Sequence, residues 1–373
     1  MRRGAAPRTA ATVGSKRLVS AARRAFVHGR FTPRASSVSN PRIVRSAIIG
    51  CGAYGAEHAR FLAGYPGAKL VAVADLDTAR ADDFCKKFGA GYATTDVSRV
   101  WTDPGIEAVW VCTQHDTHAK LVAAAAAAGK HVFVEKPLAL TLADCDSAAA
   151  AVDAAGVVGM TGFKFRFFPA VQAARAFLPR PLLTVAHVID DRWHEEFWAN
   201  DPVKGGGNVL SEGCHIVDLV LHLHPAPAIR VYAEGGNRQH PTRDIVDMAA
   251  ITLAFADGAV ANVAIGDVGL PPYASKFAVQ QSDGQRSYSL HQRLNALVTR
   301  ADKKVTDHPV HPEAGVVAID TAFLEAIAHG RPSPCSIRDG RRAMAVLLAA
   351  LESLRTHRSV DLTAAPHAAS MML

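Results

Sequence analysis

Three groups of residues in this 373-residue chain have types and spacings that can do chemistry. Gly50-Cys51-Gly52-Ala53-Tyr54-Gly55 follows the apolar run 47–49. In such a Gly-x-Gly-x-x-Gly, the first glycine permits a tight turn and the second lets backbone approach a pyrophosphate. The third lets the next helix sit close to the strand, with its N-terminus facing the phosphates. The completing acid is expected about twenty residues later at a strand end, and Asp75 closes the run 70–74. Its carboxylate would bind ribose hydroxyls and repel a 2′-phosphate. Leu76 and Asp77 follow it rather than an arginine, which favours NAD over NADP. About eighty residues beyond the glycines, Glu135-Lys136-Pro137 ends the apolar run 131–134. This places a lysine with a tunable proton on the sheet edge where a dinucleotide would lie, and the chemistry it points to is hydride transfer.

The third group lies in 207–223, entered through Gly205-Gly206-Gly207. Ser211, His215, Asp218 and His222 recur at i, i+4, i+7 and i+11, and the remaining positions are mostly apolar. On one helix they form a polar stripe. A buried stripe costs stability unless partners satisfy it, so this face is expected to line a cleft. Two metal readings arise from spacing alone: Cys112 with His115 and His118, and His215 with Asp218 and His222. A catalytic zinc needs three converging ligands, usually more widely spaced, and no metal is expected. Residues 112–118 read instead as a loop whose backbone borders the cofactor, with His118 capping or packing the next helix.

The elements that must position these groups change character once along the chain. Apolar runs at 47–49, 70–74, 108–112, 132–134 and 157–160 read as strands, and 56–64, 78–88, 116–128 and 141–154 as helices, with Gly129 and Gly156 as stops. This alternation predicts a doubly wound parallel sheet over 44–165. Beyond it, 183–189, 229–234, 248–255, 259–265, 276–281 and 285–290 read as strands without intervening helices, with Asp257-Gly258 as a hairpin turn. Helices are expected at 207–223, 316–329 and 338–356. Residues 166–373 are therefore an α+β domain on an open, mainly antiparallel sheet.

Charge is unevenly distributed. Residues 1–45 hold eleven Lys or Arg and no acid, the first acid being Glu57. The remainder carries 30 basic against 34 acidic residues, so the formal +7 belongs to the N-terminus and the body gives no electrostatic case for nucleic acid. Residues 1–43 read as a disordered basic leader, either an organelle transit peptide or the product of a start assigned too early, with no methionine between Met1 and Met160. No apolar run approaches the roughly 18 residues of a membrane helix. Six scattered cysteines suggest reduced thiols and a cytoplasmic location, or a mitochondrial or plastid one if the leader is a transit peptide.

Taken together, GCGAYG, Asp75, the Thr113 loop with His118, Glu135-Lys136-Pro137, the run 162–169 (GFKFRFFP), the run 205–218 (GGGNVLSEGCHIVD) and Asp339-Gly340 resemble the glucose–fructose oxidoreductase and inositol dehydrogenase (Gfo/Idh/MocA) family over about 44–362. The resemblance implies NAD bound by Gly50, Cys51, Gly52, Ala53, Tyr54, Gly55, Asp75, Thr113, His118, Glu135 and Lys136. It implies oxidation of a secondary alcohol of a sugar, cyclitol or related polyol, and a homodimer or homotetramer. Lys136 would be the catalytic lysine and His215 the catalytic histidine. Lys136, desolvated and beside a cationic nicotinamide, is expected to have a lowered pKa and to polarise the reacting oxygen; His215, near 6.5, would take its proton. The family often has Asp where this chain has Ser211. Glu212 should point about 100° away on a continuous helix, leaving Asp218 to orient His215. Arg166, Trp193, His194 and Ser211 are candidates for holding substrate, with the loop 191–204 setting specificity. A hydrolase or lyase using NAD for transient oxidation, and a non-catalytic dinucleotide sensor, are the alternative readings.

Overall fold

In the computed structural model, which describes residues 42–269, 276–310 and 315–364, the apolar runs of the first half become strands buried on both faces. They are β1 (Val44–Ile49), β2 (Ala68–Ala74), β3 (Tyr92–Thr94), β4 (Ala108–Val111), β5 (His131–Val134) and β6 (Gly159–Thr161). Continuous burial, complete in β4, is what a sheet covered by helices on both sides requires. The strands pair in parallel in the order β3-β2-β1-β4-β5-β6. The helices between them are α1 (Ala53–Gly64), α2 (Thr78–Phe88), α3 (Ser98–Thr102), α4 (His118–Ala127) and α5 (Leu142–Ala155). The order reverses at β1, so the loops after β1 and β4 border one crevice, the usual ligand site of such a sheet.

The second half contains α6 (Pro169–Phe177), β7 (Leu183–Asp191), α7 (Gly207–Ser211), α8 (Gly213–Leu223), β8 (Ala228–Gly236), β9 (Met248–Phe255) and β10 (Val260–Gly269). There follow β11 (Phe277–Ser282), β12 (Arg286–His291), β13 (Ala296–Ala301), β14 (Lys304–Asp307), α9 (Val317–His329), α10 (Ile337–Thr356) and β15 (Val360–Asp361). Nine strands pair in the order β14-β13-β12-β11-β7-β10-β9-β8-β15. All neighbours are antiparallel except β7 and β10, which run parallel at the sheet centre. β7 alternates between the two faces: Thr184, Ala186 and Val188 are buried, while Leu183 and Val185 are about half exposed. The covered face meets α8 and α10, and α10 also packs on α5 and β6, so one helix joins the two cores.

The sequence expectations do not include β3, α3 or α6, and they differ from the structure in three further places that bear on the argument. The helix expected over 207–223 is divided at Glu212 into α7 and α8, although Glu212 itself keeps right-handed helical dihedrals (φ −96°, ψ −32°). The hairpin β13–β14 was not expected, because its turn residues Asp302 and Lys303 take positive φ (51° and 60°) without the glycine that usually marks such a turn. Arg42, inside the expected leader, already bonds Glu107 Oε1 at 2.8 Å and the Ile327 carbonyl at 3.2 Å. Residues 1–41, and the leader reading with them, lie outside the described residues. Among the described residues no helix is long and apolar enough to cross a membrane.

Candidate active site

The dinucleotide loop forms where β1 ends. Gly50 has φ +97°, and a Cβ there would stand 2.5 Å from the Cys112 carbonyl oxygen, so only glycine lets the loops after β1 and β4 approach. A Cβ on Gly52 would meet nothing within 4 Å, leaving its face open for a phosphate group to come close. α1 has neither a side-chain cap nor an acid in its first turn, so its N-terminus is free to receive an anion. Asp75, at the end of β2, accepts from Cys51 N at 2.8 Å and Asp77 N at 3.0 Å, with Arg80 Nη1 at 3.3 Å. The residues present fit NAD: an uncapped helix start, an open glycine and a carboxylate at the ribose position.

Other expected cofactor residues act from behind this surface. His118 is fully buried and its Nδ1 lies 2.7 Å from the Pro137 carbonyl oxygen, so it fixes the segment after Lys136. Glu135 is also committed internally, accepting from Lys136 N at 3.1 Å and facing His58 Nε2 at 3.1 Å. His58 sits one turn into α1 with its Nδ1 2.8 Å from Asp320 on α9, and Asp320 also accepts from Trp110 Nε1 at 3.0 Å. Burial works to deprotonate His58, but the charges of Asp320 and Glu135 prevail and raise its pKa to about 10. Thr113 bonds within its own loop, to Thr117.

Lys136 leaves the end of β5 and is 5% exposed. Its Nζ donates to Glu212 Oε1 at 2.7 Å and to the Ser211 carbonyl at 3.1 Å. Glu212 stands three residues before His215, so the two lie on neighbouring positions of one helix face and Glu212 enters the same cleft. Glu212 Oε2 also meets Lys276 Nζ at 3.0 Å, and Lys276 reaches Asp190 Oδ2 at 2.6 Å. This corrects the expected lowering of the Lys136 pKa. Burial pulls it down, but the Glu212 carboxylate beside it holds the group above the ordinary lysine range. Glu212 is held well below the usual carboxylate range, because Lys136 and Lys276 outweigh its desolvation.

His215 enters the same cleft from α8. Its ring packs on Phe165 at 4.8 Å and Phe163 at 6.0 Å between centroids, and its Nδ1 is buried without a partner among the described residues. Burial first, and Lys136 next, push its pKa well below 6.5, so the imidazole is neutral at pH 7. The polar stripe otherwise comes apart. Asp218 does not orient His215: it is taken by Arg166, with Nε to Oδ2 at 2.8 Å and Nη2 to Oδ1 at 2.5 Å. Arg166 also reaches Asp339 on α10 at 3.1 Å and is buried, so it ties α8 to α10 and is not free for substrate. His222 lies by Arg175. Trp193 donates to Asp190 at 3.0 Å, and Trp198 packs on His115 at 4.7 Å, which brings the 191–204 loop over the cleft margin; His194 is exposed and bonds within its own loop. Among the described residues no three His, Cys, Asp or Glu converge as metal ligands.

A dinucleotide crevice with a lysine and a neutral histidine beside it defines an oxidoreductase that moves hydride to and from a nicotinamide. Residues 44–163 match the model of an oxidoreductase family with an NAD-binding Rossmann fold, and residues 180–286 match the GFO/IDH/MocA C-terminal domain. The chain belongs to this GFO/IDH/MocA family. It is 30% identical to an inositol 2-dehydrogenase of Acidothermus cellulolyticus over 334 residues, 87% of this chain and 96% of that one. It is 27% identical to a myo-inositol 2-dehydrogenase of Thermotoga maritima over 335 residues, 86% and 98% of the two chains. Among solved structures, levoglucosan dehydrogenase in complex with NADH superposes with a TM-score of 0.79 over 86% of this chain and 99% of its own; at 22% identity this likeness concerns the fold.

Proposed function

We propose that this protein oxidises a secondary alcohol of a sugar, cyclitol or related polyol, with Lys136 and His215 as the catalytic pair. One observation carries the reading: the Lys136 ammonium, 5.9 Å from the Tyr54 ring of the glycine loop, keeps an uncommitted N–H, and the neutral His215 imidazole is buried close enough to feel its charge. NAD, when bound, supplies the hydride acceptor. Lys136 Nζ has three N–H groups, two of them engaged by Glu212 and Ser211. The third can donate to the substrate oxygen and stabilise charge as it develops there. His215 accepts the hydroxyl proton, since its depressed pKa leaves it unprotonated at neutral pH. Glu212 keeps Lys136 charged and aimed, so the carboxylate of this site serves the lysine, and Ser211 contributes its backbone carbonyl. The dehydrogenases of inositol among its relatives support the substrate class.

The open sheet face supports a second copy of the chain as partner. Its central outward positions, Leu183, Val185, Ala250, Thr252, Asn262 and Ala264, carry no charge and are exposed. A homodimer or homotetramer would cover them. The substrate reading is tested by following NADH absorbance over a panel of inositols, aldoses and alditols. Reduction of NAD by at least one of them, with release of NADH, is expected. A protein that retains NAD and never accumulates NADH on any of them would contradict it.

A further inference from the structure

Among the described residues, the cationic side chains around the cleft form ion pairs, with one exception. Lys136 and Lys276 share Glu212, Lys276 also holds Asp190, and Arg166 is bound by Asp218 and Asp339. Lys164, in the short 3-10 turn 164–167, is half-buried and makes no side-chain ion pair or hydrogen bond among the described residues. Its Nζ lies 5.9 Å from the ring centroid of Tyr54, on the glycine loop, and 5.8 Å from that of Phe165. Lys136 Nζ is also 5.9 Å from the Tyr54 ring, and Phe165 is the ring packed on His215. The unpaired ammonium therefore stands in the wall that runs from the glycine loop to the histidine. Lys136, Lys164 and Lys276 all act to deprotonate His215 while Glu212 opposes them, and the Glu135 carboxylate acts on Lys164 without an ion pair to it. A half-desolvated charge with no carboxylate in direct contact is costly, and an oxidised nicotinamide would add more positive charge to the same space.

We propose that the polyol this site oxidises carries a carboxylate, received by Lys164 while its CH–OH lies between Lys136 and His215; this rests on the dehydrogenase reading above. A carboxylate fits better than a phosphate ester, because a phosphate of charge near −2 is met by several donors or an arginine fork. Here one lysine is free.

The test uses pairs that share a carbon skeleton, D-gluconate with D-glucitol and D-glucuronate with D-glucose, plus D-glucose 6-phosphate. Binding to the NAD-loaded protein is measured by calorimetry and turnover by NADH formation. The acid of a pair should be favoured about tenfold or more, the range of a hydrogen bond to a charged group. Lys164→Met, which keeps the stem on Tyr54 and Phe165, should reduce acid binding and kcat/KM at least tenfold more than those of the neutral partner. Lys164→Arg should retain the preference. Equal binding of acid and neutral partner overturns the proposal whatever the turnover, as does tightest binding of the phosphate ester. So does a Lys164→Met loss that falls on NAD affinity, which would give the ammonium to the cofactor diphosphate. Acid binding that depends on Lys164, with no NADH formed on any compound, would instead count against the dehydrogenase reading alone.

Discussion

At the scale of single residues, the cleft holds the two groups proposed for its chemistry in opposite protonation states. Lys136 is kept an ammonium by Glu212, and His215 is kept a neutral imidazole, chiefly by burial among phenylalanines and then by Lys136. A base must be unprotonated to act, so kcat/KM should fall only as pH drops through the depressed histidine pKa. A pH profile should be flat through neutrality, with its acid limb below the ordinary histidine value of about 6.5. A limb centred at 6.5 or above would contradict the burial argument. Much of this site is legible in the sequence: Gly50, Gly52 and Asp75 by spacing, Lys136 and His215 by motif. Glu212, Lys276 and Lys164 are not, because a charged residue in sequence gives no sign of which partner it meets across two sheets. Asp218 was misread for the same reason, since its register on α8 is compatible with His215 but its partner Arg166 is 52 positions away.

At the scale of elements, a buried relay of His58, Glu135 and Asp320 joins α1, the end of β5 and α9. The folded His58 has a pKa near 10 against about 6.5 in an unfolded chain. A raised pKa gives stability that is complete below about pH 6.5 and is lost as pH climbs toward 10, at up to about 1.4 kcal/mol per pH unit. His58→Gln should therefore be most destabilising near neutrality, and the gap to the unaltered protein should narrow between urea denaturations at pH 7 and pH 9. Parallel stabilities at the two pH values would show that the ring is neutral in the fold. Strand–helix alternation made the parallel sheet legible, because buried strands and glycine stops are local signals. The break at Glu212 and the glycine-free turn at 302–303 were not, since tertiary contacts decide them.

At the scale of the whole molecule, two sheets share α10 and leave one face of the larger sheet open. Apolar and uncharged positions such as Leu183 and Val185 across its centre predict self-association. Light scattering should give the mass of two or four chains, and Val185→Arg should shift it toward one; a single-chain mass for the unaltered protein would remove the partner reading while leaving the cleft as it is. The central claim is that Lys136 and His215 perform the chemistry on a site that NAD enters independently. It is tested most directly by measuring kcat and calorimetric NAD affinity together for Lys136→Met and His215→Gln. Each variant should lose about 10²–10⁴-fold in kcat, the usual contribution of a positioned acid or base, while NAD affinity stays within a few-fold. Near-normal turnover in both variants would contradict the account and place the chemistry elsewhere in the cleft.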